Sequence, residues 1–102
     1  MRYEWDELKR TRNVRKHGLD FADAPEALRG PVIARPDTRE DYGEDRWIAL
    51  ALLKNRIVAI AFAQPAAEVI RIISFRKADR DEREEFEKAL QDRLGQNRFD
   101  ER

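Results

Sequence analysis

Val69–Ala78, VIRIISFRKA, together with the charged run behind it, decides the fold of this chain. Val69, Ile70, Ile72, Ile73 and Phe75 are β-branched or aromatic, the composition of a strand buried on both faces. Arg71 and Arg76 interrupt it, and a guanidinium inside such a strand requires a partner. A period of two puts Ile70, Ile72, Ser74 and Arg76 on one face, and Val69, Arg71, Ile73 and Phe75 on the other. Ser74 and Arg76 then project together at the strand's end, just before a helix that begins at Asp79. A hydroxyl beside a guanidinium there has the chemistry of an anion site. An ion pair at a sheet edge accounts for Arg76 as well.

Downstream, Asp79–Leu94 reads as the final helix. Asp79 with Glu82 makes a capping-box start, and Phe86, Ala89, Leu90 and Leu94 form its apolar stripe. Gly95 is expected to stop it, leaving one domain over 1–95 and a loose tail over 96–102. Upstream, Arg46–Leu53 and Arg56–Ala63 are apolar strands joined at Lys54-Asn55, where a tight hairpin turn fits. Gln64–Ala67 turns the chain into Val69–Arg76, so three consecutive strands form an antiparallel meander. The unbroken apolar runs Ala49–Leu52 and Ala59–Ala63 predict more apolar surface than the helices cover, and hence a protein interface.

Nearer the start, Val32–Arg35 reads as an edge strand, because Pro36 is tolerated only there. Asp37–Asp45 is an acidic loop expected to be exposed. Phe21–Leu28 is a short helix capped by Asp20, and Arg2–Trp5 a short strand. Glu7–His17 is a helix with Asp6 as N-cap and Gly18 as its stop. Its apolar face is poor, and Lys9, Asn13, Lys16 and His17 fall within roughly a quarter-turn of one another. The expected class is α+β: two N-terminal helices, a twisted antiparallel sheet with a meander, and a C-terminal helix.

Composition bounds the chemistry. The chain has 102 residues, 41% charged and 41% hydrophobic, with formal net charge zero, so overall basicity makes no case for nucleic acid. Charge is unevenly placed: residues 1–16 hold six Lys/Arg against three Asp/Glu, and 37–45 hold five Asp/Glu against one Arg. Without cysteine there is no disulfide, thiolate metal site or cysteine nucleophile, and one histidine cannot make a multi-histidine zinc site. No apolar run approaches a membrane span and no apolar signal core opens the chain, so a cytoplasmic protein is expected.

Two motifs carry a family resemblance. Tyr3-Glu4-Trp5-Asp6, then Lys9, Asn13, Lys16-His17-Gly18 and Phe21, resemble the opening of the BrnT family. Ile70-Arg71-Ile72-Ile73-Ser74, then Arg76, Ala78 and Glu82-Arg83, resemble its closing signature. Glu44 and Arg46 stand where the family carries an acidic-x-Arg pair. Phe75 replaces a residue that is usually small. The resemblance implies a RelE-like toxin of a bacterial type II toxin–antitoxin pair, a metal-independent ribonuclease that cleaves RNA and inhibits translation. It further implies neutralisation by a BrnA-like antitoxin, operator DNA bound only through that antitoxin, a homodimer or heterotetramer, and no cofactor, metal or membrane.

In such a ribonuclease the RNA 2′-hydroxyl attacks the adjacent phosphate, so a site must hold phosphate, stabilise added negative charge and move two protons. Arg76, Lys16, Lys9 and Arg80 could supply the positive cluster, with the Ser74 hydroxyl beside Arg76, because guanidinium matches phosphate oxygens in one plane. For the proton, His17 has the right intrinsic pKa, though a ring next to a helix-stopping glycine can instead cap carbonyls. Glu44 is the other base candidate, and pairing with Arg46 is its plain alternative. Asn13 and Arg46 complete the expected substrate contacts. Arg71 is expected to be an ion-pair partner of Glu4 or Glu84. A binding module that represses transcription with the antitoxin, without cleavage, stays open beside the enzyme.

Overall fold

In the computed structural model, which describes the backbone of residues 1–100 and the side chains of residues 1–93, the chain opens on strand β1 (Arg2–Glu4). Helix α1 (Glu7–His17) follows, then a 3₁₀ turn (Phe21–Asp23) that leads into helix α2 (Ala24–Leu28). Strands β2 (Val32–Pro36), β3 (Arg46–Leu53), β4 (Arg56–Ala66) and β5 (Val69–Lys77) come next, and helix α3 (Arg80–Asp100) closes the fold.

The strands form one sheet in the order β1-β5-β4-β3-β2. β2 to β5 are an antiparallel meander, whereas β1 pairs parallel to β5. The sheet is therefore mixed, not purely antiparallel. The short strand expected at the start is β1, and of the two expected N-terminal helices the second is a 3₁₀ turn plus five helical residues.

Local chemistry explains most boundaries. Asp6 caps α1 by accepting from the Leu8 and Lys9 N–H groups, and Gly18 ends it at φ 70°, its N–H bonded to the Val14 carbonyl. Asp20 accepts from the Ala22 N–H at the start of the 3₁₀ turn. Lys54 and Asn55 take φ 50° and 68°, the left-handed pair of a type I′ hairpin. Pro36 lies on the edge strand, where its missing N–H costs no ladder bond. Two boundaries differ from expectation. β4 runs on to Ala66, which leaves only Ala67-Glu68 for the turn. Helix α3 passes through Gly95 to Asp100, since a helical glycine costs only about 1 kcal/mol relative to alanine; of the expected tail, residues 101–102 lie outside the described residues.

The meander contains one irregularity that reorganises the site. Ser74 pairs with Ala61 and Ile72 with Phe62, so Ile73 is an extra residue in β5. This bulge resets the alternation. Ile70, Ile72 and Phe75 now share the face that carries Phe21, Ala24, Ala27, Val58 and Ile60. Arg76 pairs with Ala59, which belongs to the opposite face with Ile48, Leu50 and Phe86. Ile70 and Ile72 therefore do not share a face with Arg76, and Arg71 does. Phe75 turns away from Ser74 and Arg76, fully buried.

Each face of the sheet has its own cover. The 3₁₀ turn and α2 lie over one core, and Phe86 and Leu90 of α3 over the other. Ala49–Ala51, Ala59–Ala61 and Ala63 are buried within the chain, while Leu52 and Phe62 of the same runs are half-buried. The exposed large apolar side chains among the described residues are Met1, Leu8 and Val14.

Candidate active site

Helix α1 lies along the edge of β5 that β1, paired only as far as Arg71, leaves open. Asn13 is its single buried residue, at 7% exposure. Its Oδ1 accepts the Phe75 N–H at 3.0 Å, and its Nδ2 donates to the carbonyls of Phe75 at 2.7 Å and Leu19 at 2.9 Å. An amide with both hydrogens and its oxygen so engaged has little left for a substrate. Asn13, expected as a substrate contact, is a clamp between helix and strand.

One turn further, the clamp sets His17 beside the end of β5. Burial first, then the positive charges of Lys16 and Arg76, hold the imidazole below its usual range. The structure thus brings His17, Lys16 and Arg76 into one electrostatic neighbourhood. The ring makes no hydrogen bond to the helix carbonyls among the described residues; Gly18 provides the stop instead. On the α2 side of the helix, Arg10 is tied to Asp20 at 2.8 Å. His17 falls with Arg10 on one flank of Asn13, and Lys9 and Lys16, at about 100° per residue around α1, fall on the other. Both are exposed, and neither forms an ion pair among the described residues.

Arg76 is more constrained than a free surface arginine. Its Nη1 donates to Glu82 Oε1 at 2.7 Å and its Nη2 to Glu82 Oε2 at 3.0 Å. Glu82 is 5% exposed, and the Arg76 guanidinium draws its carboxyl below the usual carboxylate range despite burial. Arg35, on the far side of the sheet face, reaches the same carboxylate at 3.6 Å and Glu85 at 3.0 Å. Both readings of Arg76 thus meet in one residue: it is ion-paired, and it keeps an edge without a partner among the described residues. Ser74 sits on the same face, opposite Ala61 and half-buried.

A second charged constellation occupies the other end of that face. Glu44 accepts from Arg46 at 3.2 Å and Arg71 at 3.3 Å, and Arg71 also reaches Glu4 at 3.0 Å. The Arg46 guanidinium lies 4.1 Å from the Tyr42 ring centroid, a cation–π stack. Of the two expected partners of Arg71, Glu4 is the right one; Glu84 takes Arg80 at 3.2 Å on the exposed first turn of α3. Arg71 and Arg76 pair with Ala63 and Ala59, four residues apart on β4, which puts them roughly 13 Å apart at about 3.3 Å per residue. Glu44 and His17 therefore do not converge on one reacting group.

Sequence reasoning missed Asp37, Arg39 and Arg35. Asp37 is buried rather than exposed with its acidic loop, and it accepts from Arg39 at 2.8 Å and Tyr42 at 3.2 Å. Those contacts, Arg39 above all, bring its carboxyl down to about 2. Arg39 in turn adds positive potential at Arg76. The loop's five acids pointed to solvent; only the closeness of Asp37, Arg39 and Tyr42 in sequence hinted at a closed turn.

Two comparisons with known proteins found matches. The family model of BrnT, the ribonuclease toxin of a type II toxin–antitoxin system, matches residues 5–82. A 1.1 Å crystal structure of the Brucella abortus ribonuclease toxin BrnT superposes with a TM-score of 0.61 at 34% identity, over 78% of this chain and 99% of the other. No curated protein sequence matches the chain.

Proposed function

Because the chain belongs to the BrnT family of ribonuclease toxins of type II toxin–antitoxin systems, we propose that it cleaves RNA without a metal ion and inhibits translation, as a RelE-like toxin. A type II toxin has an antitoxin partner, and the reading assigns a BrnA-like one, through which operator DNA is reached. The ribonuclease unit spans residues 1–95, acts in the cytoplasm, and assembles as a homodimer or, with the antitoxin, as a heterotetramer.

The observation that carries this reading is that Arg76, held by the buried Glu82 at the end of β5, and Lys16 both place positive charge near His17. With its pKa held down, His17 is neutral at pH 7 and able to accept a proton. It takes the proton of the RNA 2′-hydroxyl as the 2′ oxygen forms its bond to phosphorus. The bond from phosphorus to the 5′ oxygen breaks, and the proton is returned to that oxygen. The products are a 2′,3′-cyclic phosphate and a 5′-hydroxyl. Arg76 and Lys16 stabilise the negative charge that accumulates on the phosphate, with Ser74 as a further donor. Lys9 extends the positive flank along α1 for neighbouring phosphates. Arg46, stacked on Tyr42 across from Arg71, and Arg80 at the start of α3 are secondary backbone contacts; Glu44 orients the arginines and takes no part in the scissile step.

Induced expression with and without the neighbouring small reading frame tests it. Growth arrest and RNA breakage, both relieved by that frame, are expected. Repression of the operon with intact RNA and normal growth would favour the non-catalytic co-repressor instead.

A further inference from the structure

We infer that Glu82 is the positioning residue of Arg76: it grips the end of the guanidinium and leaves the side edge aimed at an RNA phosphate. The inference rests on the reading of Arg76 as the phosphate-binding group.

The geometry is specific. Glu82 takes Nη1 at 2.7 Å and Nη2 at 3.0 Å, and Nη1 also donates to the Lys77 carbonyl at 3.3 Å. Nε–H and the second Nη2 hydrogen have no partner among the described residues. In a planar guanidinium these two point the same way, and they make the fork that matches two phosphate oxygens. An end-on carboxylate and a side-on phosphate can thus be held at once. The arginine need not release one to take the other.

Glu82 is itself locked. Its Oε1 accepts the Asp79 N–H at 2.9 Å, and its own N–H donates to Asp79 Oδ1 at 2.8 Å, the reciprocal pair of a capping box. Swinging the carboxylate away would undo the start of α3. Arg35 at 3.6 Å restrains Oε2 from the other side. The cap of one element and the aim of a strand-borne arginine are therefore one device. A surface arginine without such an anchor samples many rotamers; this one is pre-oriented.

The test separates aim from cap in RNA cleavage by the purified chain, with a fluorophore-labelled RNA oligonucleotide of mixed sequence. Glu82→Gln keeps an oxygen for the Asp79 N–H but loses the charged pair. It is expected to lower kcat ten- to a hundredfold with KM within about threefold, and to add nothing in an Arg76→Ala background. Asp79→Ala removes the Oδ1 acceptor of the Glu82 N–H but keeps the Asp79 N–H on Oε1 and the Arg76–Glu82 pair, so it is expected to lower the melting temperature while keeping kcat. If Glu82→Gln does not fold, Glu82→Asp, which withdraws the carboxylate by one carbon, is expected to show a tenfold or greater loss of kcat. Wild-type kcat in a folded Glu82 variant, with Arg76→Ala inactive, would overturn the inference and leave the proposed function standing. Wild-type cleavage by Arg76→Ala would overturn both.

Discussion

Asn13 closes the open edge of β5 by pairing its side-chain amide with the backbone of Phe75, N–H to Oδ1 at 3.0 Å and carbonyl to Nδ2 at 2.7 Å. The side chain does what a neighbouring strand would do, for one residue. It explains how a helix with no buried apolar residue stays in place, and why His17, four residues on, reaches the end of the strand.

Asn13→Ala is accordingly expected to destabilise the chain by about 2–4 kcal/mol, because it leaves the Phe75 N–H and carbonyl and the Leu19 carbonyl unmet. Urea denaturation measures this directly. Near-wild-type stability with weakened RNA binding would return Asn13 to the substrate site.

His17 is the chain's only histidine, so its titration can be followed by NMR without ambiguity. Its folded pKa is expected below 6.5, to rise on Lys16→Ala or Arg76→Ala, and to stay below 6.5 in each because burial is the largest cause. The sign for stability follows. The unfolded chain takes up this proton more readily, so His17 subtracts stability as pH falls through 6.5 toward the folded pKa, and has no such effect at higher pH. A folded pKa above 6.5 would contradict the electrostatic neighbourhood described for it.

Much of the fold could be read from sequence where local chemistry decides it. The Asp6 and Gly18 caps, the Asp79/Glu82 box, the Lys54-Asn55 turn and the edge position of Pro36 each depend on residues within a few positions of one another. What could not be read is what depends on pairing across the sheet. The alternation in VIRIISFRKA is regular as written, and only the partner strand reveals Ile73 as surplus. That surplus moves Arg71 onto the Arg76 face and Ile70 and Ile72 off it. The site was half legible for the same reason. His17, Lys16 and Arg76 are distinctive residues, but the fates of Asn13 and Glu44 are set by contacts 62 and 27 residues away.

Deleting Ile73 provides a test of the bulge. With it removed, Ile72 and Ser74 become neighbours whose partners, Phe62 and Ala61, are already consecutive, so every face assignment is kept. The deletion variant is expected to fold, with a loss under about 2 kcal/mol and an intact Arg76–Glu82 pair. Deleting Ser74 instead leaves the same register with Ile73 opposite Ala61, so it is expected to fold as well and to lose only the hydroxyl. An Ile73 deletion that unfolds the chain would mean that the register is not the one described.

The most direct test of the account is the rate of RNA cleavage, in the presence of a chelator, by the purified wild type, Arg76→Ala and Arg76→Lys. Arg76 is only 27% exposed along its side chain and pairs with a buried carboxylate, so its loss is expected to cost about 1–3 kcal/mol of stability, and rates must be compared below each melting transition. Arg76→Ala is predicted to lower kcat a hundredfold or more, with Arg76→Lys recovering part of it, because an ammonium restores the charge but not the planar fork. A folded Arg76→Ala protein that cleaves RNA at the wild-type rate would contradict the account.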